Sequence, residues 1–208
     1  GGARAGGAER GGVSCRCTTR QLYATNLWSR LATRVVVRAA QFEATTFGGL
    51  EAAVRNEGDL DRWLGGRAPR LRVSSTRSAL YHTEAIAERL RGLWGDPGEN
   101  VAEGGDRRSF FGEPDRDDES DPSLGGAPLV IVRVVANRFT VSVDCSGEPL
   151  YKRGWRQEVA KAPVRENLAA ALLMAVGWRA DQPLVDPFCG SGTIPIEAAL
   201  LALGRPPG

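Results

Sequence analysis

Apolar and polar side chains alternate along the 208-residue chain in a way that predicts short helices and strands in turn. Leu27 and Leu31 stand at helical spacing before the β-branched run Val35, Val36 and Val37, so residues 29–42 read as helix then strand. Beyond Gly48 and Gly49, Leu50, Ala53 and Val54 recur on one helical face up to a stop near Gly58. "RLRVSSTRS" sets Leu71, Val73 and Ser75 against Arg72, Ser74 and Thr76, a half-buried strand with basic and hydroxyl groups on one face. "HTEAIAERLRGLWG" places Ile86, Leu90, Leu93 and Trp94 on one stripe and ends at Gly95, a helix with a glycine stop. "PLVIVRVVANRFTVSVDCSG" predicts two strands turning at Ala136 and Asn137, the second facing Phe139, Val141, Val143 and Cys145 inward. Pro163 opens a helix whose Leu168, Ala171, Leu172, Ala175 and Val176 repeat along one face up to Gly177. Two stretches give no such pattern: residues 1–12, read as a disordered or truncated lead-in, and residues 96–128, read as a long mobile loop.

Composition narrows the classes. With 42% apolar residues the chain can build ordinary cores, and no run of about 18 uncharged apolar residues suggests a membrane span. "GGARAGGAERGG" lacks the apolar centre of a secretory signal, so a cytoplasmic protein is expected. Cys15, Cys17, Cys145 and Cys189 fit neither a disulfide framework nor a zinc ribbon and read as small packed residues. His82 is the single histidine, which leaves no His-based triad or multi-His metal site within the chain; no metal is expected. The net charge of +2 conceals a segregation, since residues 96–121 balance to −7 and the remainder to +9. Such a surplus attracts polyanions, although 25 of the 27 basic residues are Arg, a bias that composition alone also produces.

Two motifs carry chemistry. "EPLYKRGWRQEVAKAPVRE" interleaves Lys152, Arg153, Arg156, Lys161 and Arg165 with Tyr151 and Trp155. Cations beside aromatic rings suit looped RNA, where charge holds phosphates and rings stack on bases; a plain connector has a similar look. Arg72, Lys152, Arg153 and Arg156 are the expected phosphate contacts. The second motif is "LVDPFCGSGTIPIEAALLALG": a strand "PLVD" ending at Asp186, a glycine turn, and a helix. Ligands of open α/β sheets lie beyond the carboxyl ends of the strands, where this turn falls. A triphosphate loop needs a lysine after Gly192, and a dinucleotide fingerprint needs a third small residue where Pro195 stands. S-adenosylmethionine suits the residues better. Asp186 can receive its ammonium, Gly190 and Gly192 allow close main-chain approach, and the helix start favours its carboxylate. Phe188 either lines the methionine portion or packs under the turn, and Cys189 lacks a basic partner that would make it a nucleophile.

"DPFCGSGTIPIEAALLA", preceded by "YKRGWRQEVAKAPVRENLAAALL", resembles the THUMP-containing RNA guanine-N2 methyltransferases, close to the bacterial large-subunit ribosomal RNA enzymes. "LWSRLATRVVVR", "SSTRSALYHTEAIAERL" and "VSVDCSGEPLYKRGW" extend the resemblance over most of residues 27–208 apart from the acidic insertion. It implies an α+β chain: a ferredoxin-like part (13–45), an RNA-binding THUMP domain (46–148, with insertion 96–128), a linker (149–162) and the start of a Rossmann-like methyltransferase domain (163–208). It also implies that the turn carrying Asp186, Phe188, Gly190, Ser191, Gly192 and Thr193 is the first cofactor motif, with S-adenosylmethionine as cofactor and ribosomal RNA as partner. The family's catalytic N-P-P-Y or D-P-P-Y is not among these residues, so no catalytic residue is assigned. The chain is therefore expected to be an N-terminal part, inactive alone. The alternative is a stand-alone RNA-binding module.

Overall fold

A computed structural model of the protein describes residues 4–9, 11–57, 59–95, 126–155 and 164–207. The chain divides into two compact units, Gly1–Val35 with Glu148–Gly208, and Val36–Gly147.

The second unit is a four-stranded sheet covered on one face. Its strands are β3 (Val36–Glu43), β4 (Arg70–Thr76), β5 (Leu129–Val135) and β6 (Arg138–Asp144), in the order β3-β6-β5-β4. β3–β6 and β5–β6 are antiparallel, and β4–β5 is parallel. The period of two decides which side chains go inside: Leu71 and Val73, Val130, Val132 and Val134, and Phe139, Val141 and Val143 are buried together. Helices α2 (Phe47–Asn56) and α4 (Thr83–Trp94) bring Leu50, Val54, Ile86, Ala87 and Leu90 onto that face, while the short α3 (Asp59–Leu64) adds Leu60 and Leu64. Thr46 caps α2 by accepting from the Gly49 amide at 3.1 Å.

The β5–β6 turn forms at Ala136 and Asn137, as the sequence predicts, with φ of 49° and 66°. Asparagine tolerates this left-handed geometry, and here it also fastens the turn. Asn137 Oδ1 accepts from the Ala79 amide at 2.7 Å, its own amide donates to Ser78 Oγ at 3.1 Å, and its carbonyl accepts from the Ala44 amide at 3.1 Å.

The first unit begins with an antiparallel hairpin of β1 (Arg4–Glu9) and β2 (Gly12–Arg16), followed by α1 (Thr19–Trp28). The lead-in reading of residues 1–12 is thus corrected for residues 4–9, 11 and 12; residues 1–3 and 10 lie outside the described residues. A strand ladder is made by main-chain N–H and C=O groups and needs no apolar side chain, so a Gly- and Ala-rich strand gives little periodicity. Gly6 is required there, because a Cβ would lie 2.7 Å from the Ser14 carbonyl. Thr18 and Gln21 close α1 with reciprocal side-chain to backbone hydrogen bonds.

Helices α5 (Glu166–Ala175) and α6 (Thr193–Ala202) pack together in the same unit. The buried face of α5 is Glu166, Asn167, Ala169, Ala170 and Leu173. The apolar stripe expected there is wrong: Leu168, Leu172 and Val176 are 55%, 53% and 77% exposed. Almost every position of α5 is apolar, so periodicity cannot choose a face. The two polar residues choose it, Asn167 by donating to the Leu31 carbonyl at 3.4 Å and to Thr33 Oγ1 at 3.3 Å. No helix among the described residues is long and apolar enough to cross a membrane. The expected loop at 96–128 lies, for residues 96–125, outside the described residues.

Candidate cofactor-binding site

"PLVD" is not a strand in this structure, a second correction. Residues 183–186 are irregular and Val185 is 84% exposed. A parallel strand exists only through its neighbours, and none lies beside it among the described residues. The turn and the helix after it do form. Gly190 and Gly192 both take left-handed φ, 52° and 75°, and Gly192 is the N-cap of α6. The Gly192 amide donates to the Cys189 carbonyl at 2.7 Å, and Ile196 N–H returns to the Gly192 carbonyl at 3.0 Å. The glycines answer to backbone conformation rather than to crowding, since an added Cβ at Gly190 or Gly192 would meet nothing nearer than 3.9 Å or 3.7 Å.

Asp186 is half-buried, and its Oδ1 accepts from the Phe188 amide at 3.1 Å. That bond fixes the carboxylate at the mouth of the turn and leaves a second oxygen to receive a cation. Ser191 Oγ and Thr193 Oγ1 lie 3.2 Å apart inside it. Phe188 is 93% exposed, so the reading that packs it under the turn fails. Nor are the cysteines packed: Cys15, Cys17 and Cys189 are exposed and Cys145 half-buried, all as free thiols. Small polarizable side chains are buried only where an apolar layer meets them, and these stand in hairpin and turn segments without one.

Arg153 is not available to RNA. Its side chain is 1% exposed, with Nε 3.2 Å from Glu197 Oε1, and its Nη2 donates to the Arg30 carbonyl at 2.8 Å. Glu197, in the second turn of α6, is fully buried and also lies 3.6 Å from Arg30 Nη1. Burial pushes the Glu197 carboxyl above the ordinary carboxylate range, more strongly than Arg153 and Arg30 draw it down, and Glu166 adds to the rise. The same burial lowers the Arg153 guanidinium, opposed by Glu197. Glu197 was not singled out from the sequence. The available signal was a lone carboxylate in the apolar run "IPIEAALLA".

The other basic candidates are scattered. Lys152 is exposed and paired with Glu148 at 3.3 Å. The ring of Tyr151 is covered by the Arg165 guanidinium at 4.9 Å. Arg72 is half-buried on the face of β4 opposite Leu71 and Val73. Arg133, exposed on β5, stands opposite Ser74 and so diagonal to Arg72 across the β4–β5 pair. An arginine inside "LVIVRVV" must point away from the core, a signal the sequence reading passed over. Arg156 lies outside the described residues.

Residues 153–208 match the RMKL-like methyltransferase domain, and residues 2–36 match the RlmL ferredoxin-like domain. Over these two stretches the chain is similar to the RlmL- and RMKL-like methyltransferases. Ribosomal RNA large subunit methyltransferase K/L of Methylococcus capsulatus is 35% identical over 204 residues, covering 96% of this chain and 26% of that protein. The protein of the same name from a Marinomonas species is 33% identical over 190 residues, covering 90% and 24%. The chain thus spans about a quarter of the length of these curated relatives. Among solved structures, a predicted N6-adenine-specific DNA methylase from Listeria monocytogenes is similar with a TM-score of 0.74 and 29% identity, over 99% of this chain and 50% of that one. SMU.472, complexed with SAH, is similar with a TM-score of 0.71 and 27% identity, over 99% and 51%. The expected mixed α+β fold with a ferredoxin-like start is borne out.

Proposed function

We propose that the chain carries the RNA-capturing and cofactor-binding parts of an S-adenosylmethionine-dependent methyltransferase acting on guanine N2 of large-subunit ribosomal RNA. The observation that carries this reading is the turn with two left-handed glycines behind a fixed carboxylate, inside the stretch that resembles the RMKL-like methyltransferase domain. When bound, the cofactor supplies an electrophilic methyl group. Asp186 receives its ammonium, and the start of α6, which has no side-chain cap, takes its carboxylate. Gly190, Ser191, Gly192 and Thr193 bring main chain and hydroxyls against it, and the exposed ring of Phe188 lies along the methionine portion. The SAH bound to SMU.472, the spent form of that cofactor, supports the choice of ligand.

The RNA side rests on charge. The sheet face opposite the core offers Arg72 and Arg133 with Ser74 and Thr140, a flat basic and hydroxyl surface suited to a phosphate backbone. Lys152 adds a cation in the linker. We assign residues 46–148 to the THUMP domain and 149–162 to the linker. The relatives' names differ on the nucleic acid, rRNA in the curated ones and DNA in the Listeria structure. The former are the more similar in sequence, and rRNA as substrate implies a cytoplasmic enzyme.

The test is direct. The full-length protein should transfer a labelled methyl group from S-adenosylmethionine to a guanine of large-subunit rRNA, with SAH as competitor. If ATP or NAD displaces the labelled cofactor and SAH does not, the reading fails.

A further inference from the structure

Helix α6 is apolar at nearly every position, "TIPIEAALLA", and hydrophobic burial has no preferred rotation for such a helix. Its buried residues are Thr193, Glu197 and Ala198, and two of these three side chains are small. Its one charged residue is what distinguishes its faces. Glu197, fully buried, lies between Arg153 at 3.2 Å and Arg30 at 3.6 Å, and Glu166 at the start of α5 is only 3% exposed and acts on both Arg153 and Glu197. Two cations and two anions thus share a site from which water is largely excluded. In such a site the correct partner arrangement is favoured strongly over any other, because a rotated helix would leave a charge buried and unpaired. Arg30 grips the same helix a second time, through Nη2 donating to the Leu200 carbonyl at 3.2 Å and to the Arg205 carbonyl at the helix end.

We propose that Arg30, Arg153 and Glu197 are positioning residues: together they fix the rotation and depth of α6, and so hold the glycine turn at its N-cap in the shape that receives the cofactor. Glu197 sits one turn beyond Thr193, and Ile196 N–H is bonded to the Gly192 carbonyl, so a movement of the helix is a movement of the turn. Cofactor affinity then depends on an arginine 170 positions before the Leu200 carbonyl it binds, in the segment just after α1. The cofactor part of this proposal rests on reading the turn as the S-adenosylmethionine site; the positioning part does not.

Hydrogen exchange followed by mass spectrometry separates the two. In Glu197→Gln and in Arg30→Met, amides of residues 189–196 should exchange about tenfold faster than in the native chain. Peptides from α1, in the same unit as α6, serve as the control for folding and should keep their protection. Arg30→Lys, which retains the charge and one donor, should restore part of the protection. In the full-length protein the same two variants should weaken SAH binding about tenfold. Unchanged exchange at residues 189–196 in both variants, with the α1 control intact, overturns the proposal; loss of protection in the control as well reduces the cluster to a general stabiliser and overturns it equally. Accelerated exchange in a full-length protein that has no affinity for SAH upholds the positioning role and removes the cofactor reading instead.

Discussion

The Asp186 carboxylate accepts a hydrogen bond from the Phe188 amide across two residues at 3.1 Å. This bond gives Asp186 two separable duties, shaping the turn and presenting negative charge. Asp186→Asn preserves an acceptor for the amide and removes the charge; Asp186→Ala removes both. A charged hydrogen bond to the cofactor ammonium contributes about 1.5–3 kcal/mol, so Asp186→Asn should weaken SAH binding about 10- to 100-fold in the full-length protein. Isothermal titration of both variants checks it, and equal affinity of Asp186→Asn and the native protein would take the carboxylate out of the site.

The glycine turn should tolerate substitution according to backbone handedness rather than size. At Gly192, φ is +75° and an added Cβ meets only Ile196 Cδ1, at 3.7 Å. Gly192→Ala should therefore cost roughly 1–2 kcal/mol from the left-handed backbone, and Gly192→Asn less, although Asn is the larger residue. Thermal melting of the two variants gives the order.

Stability of the second unit should centre on Phe139, which is fully buried and stacked on Phe42 with ring centroids 5.3 Å apart. Phe139→Ala removes a large side chain from a site walled by β-strands that cannot collapse inward, at a cost of about 3–5 kcal/mol. Urea denaturation should register the loss as a lower midpoint with little change in slope.

The Glu197 carboxyl predicts a pH dependence with a definite sign. Its proton is held more tightly in the folded chain than in the unfolded one, since burial outweighs the two arginines and Glu166 adds to the rise. The folded state thus binds more protons between the two values, and stability from this group falls as pH increases. It is fully present below the ordinary glutamate value and is lost as pH rises through the raised one. Glu197→Gln removes the titration, so native stability relative to this variant should decline from about pH 4 towards neutrality. Melting temperatures of the two proteins across that range test the slope.

For RNA, the exposed and buried arginines should behave differently. Arg72→Ala with Arg133→Ala should weaken binding of a structured rRNA fragment and reduce the slope of log affinity against log salt by about one to two. Arg153→Ala should leave that slope alone and lower the melting temperature, because its guanidinium is committed to Glu197. Filter binding over a salt series distinguishes them.

Much of the second unit was legible because its strands obey a strict period of two: Val130, Val132, Val134, Phe139, Val141 and Val143 alternate, and all are buried. The glycine turn was legible because only glycine takes its left-handed positions freely. What escaped was whatever depends on partners distant in sequence. "PLVD" has the composition of a strand, yet without a neighbour among the described residues it has no ladder to join. Arg153 looked like a phosphate contact among basic neighbours, and only the fold reveals Glu197 beside it. On α5 an apolar sequence offered no preferred side, so two polar residues at its start decided the packing.

The grip of Arg30 on α6 also bears on recombination between relatives. A hybrid that draws its opening residues from one parent and its later ones from another breaks this charge balance wherever the two parents differ at one of its members. For parents that differ at positions 30, 153, 166 or 197, crossovers that keep the four of common descent should yield workable hybrids, and those that mix them should not, wherever in the intervening sequence the join is made.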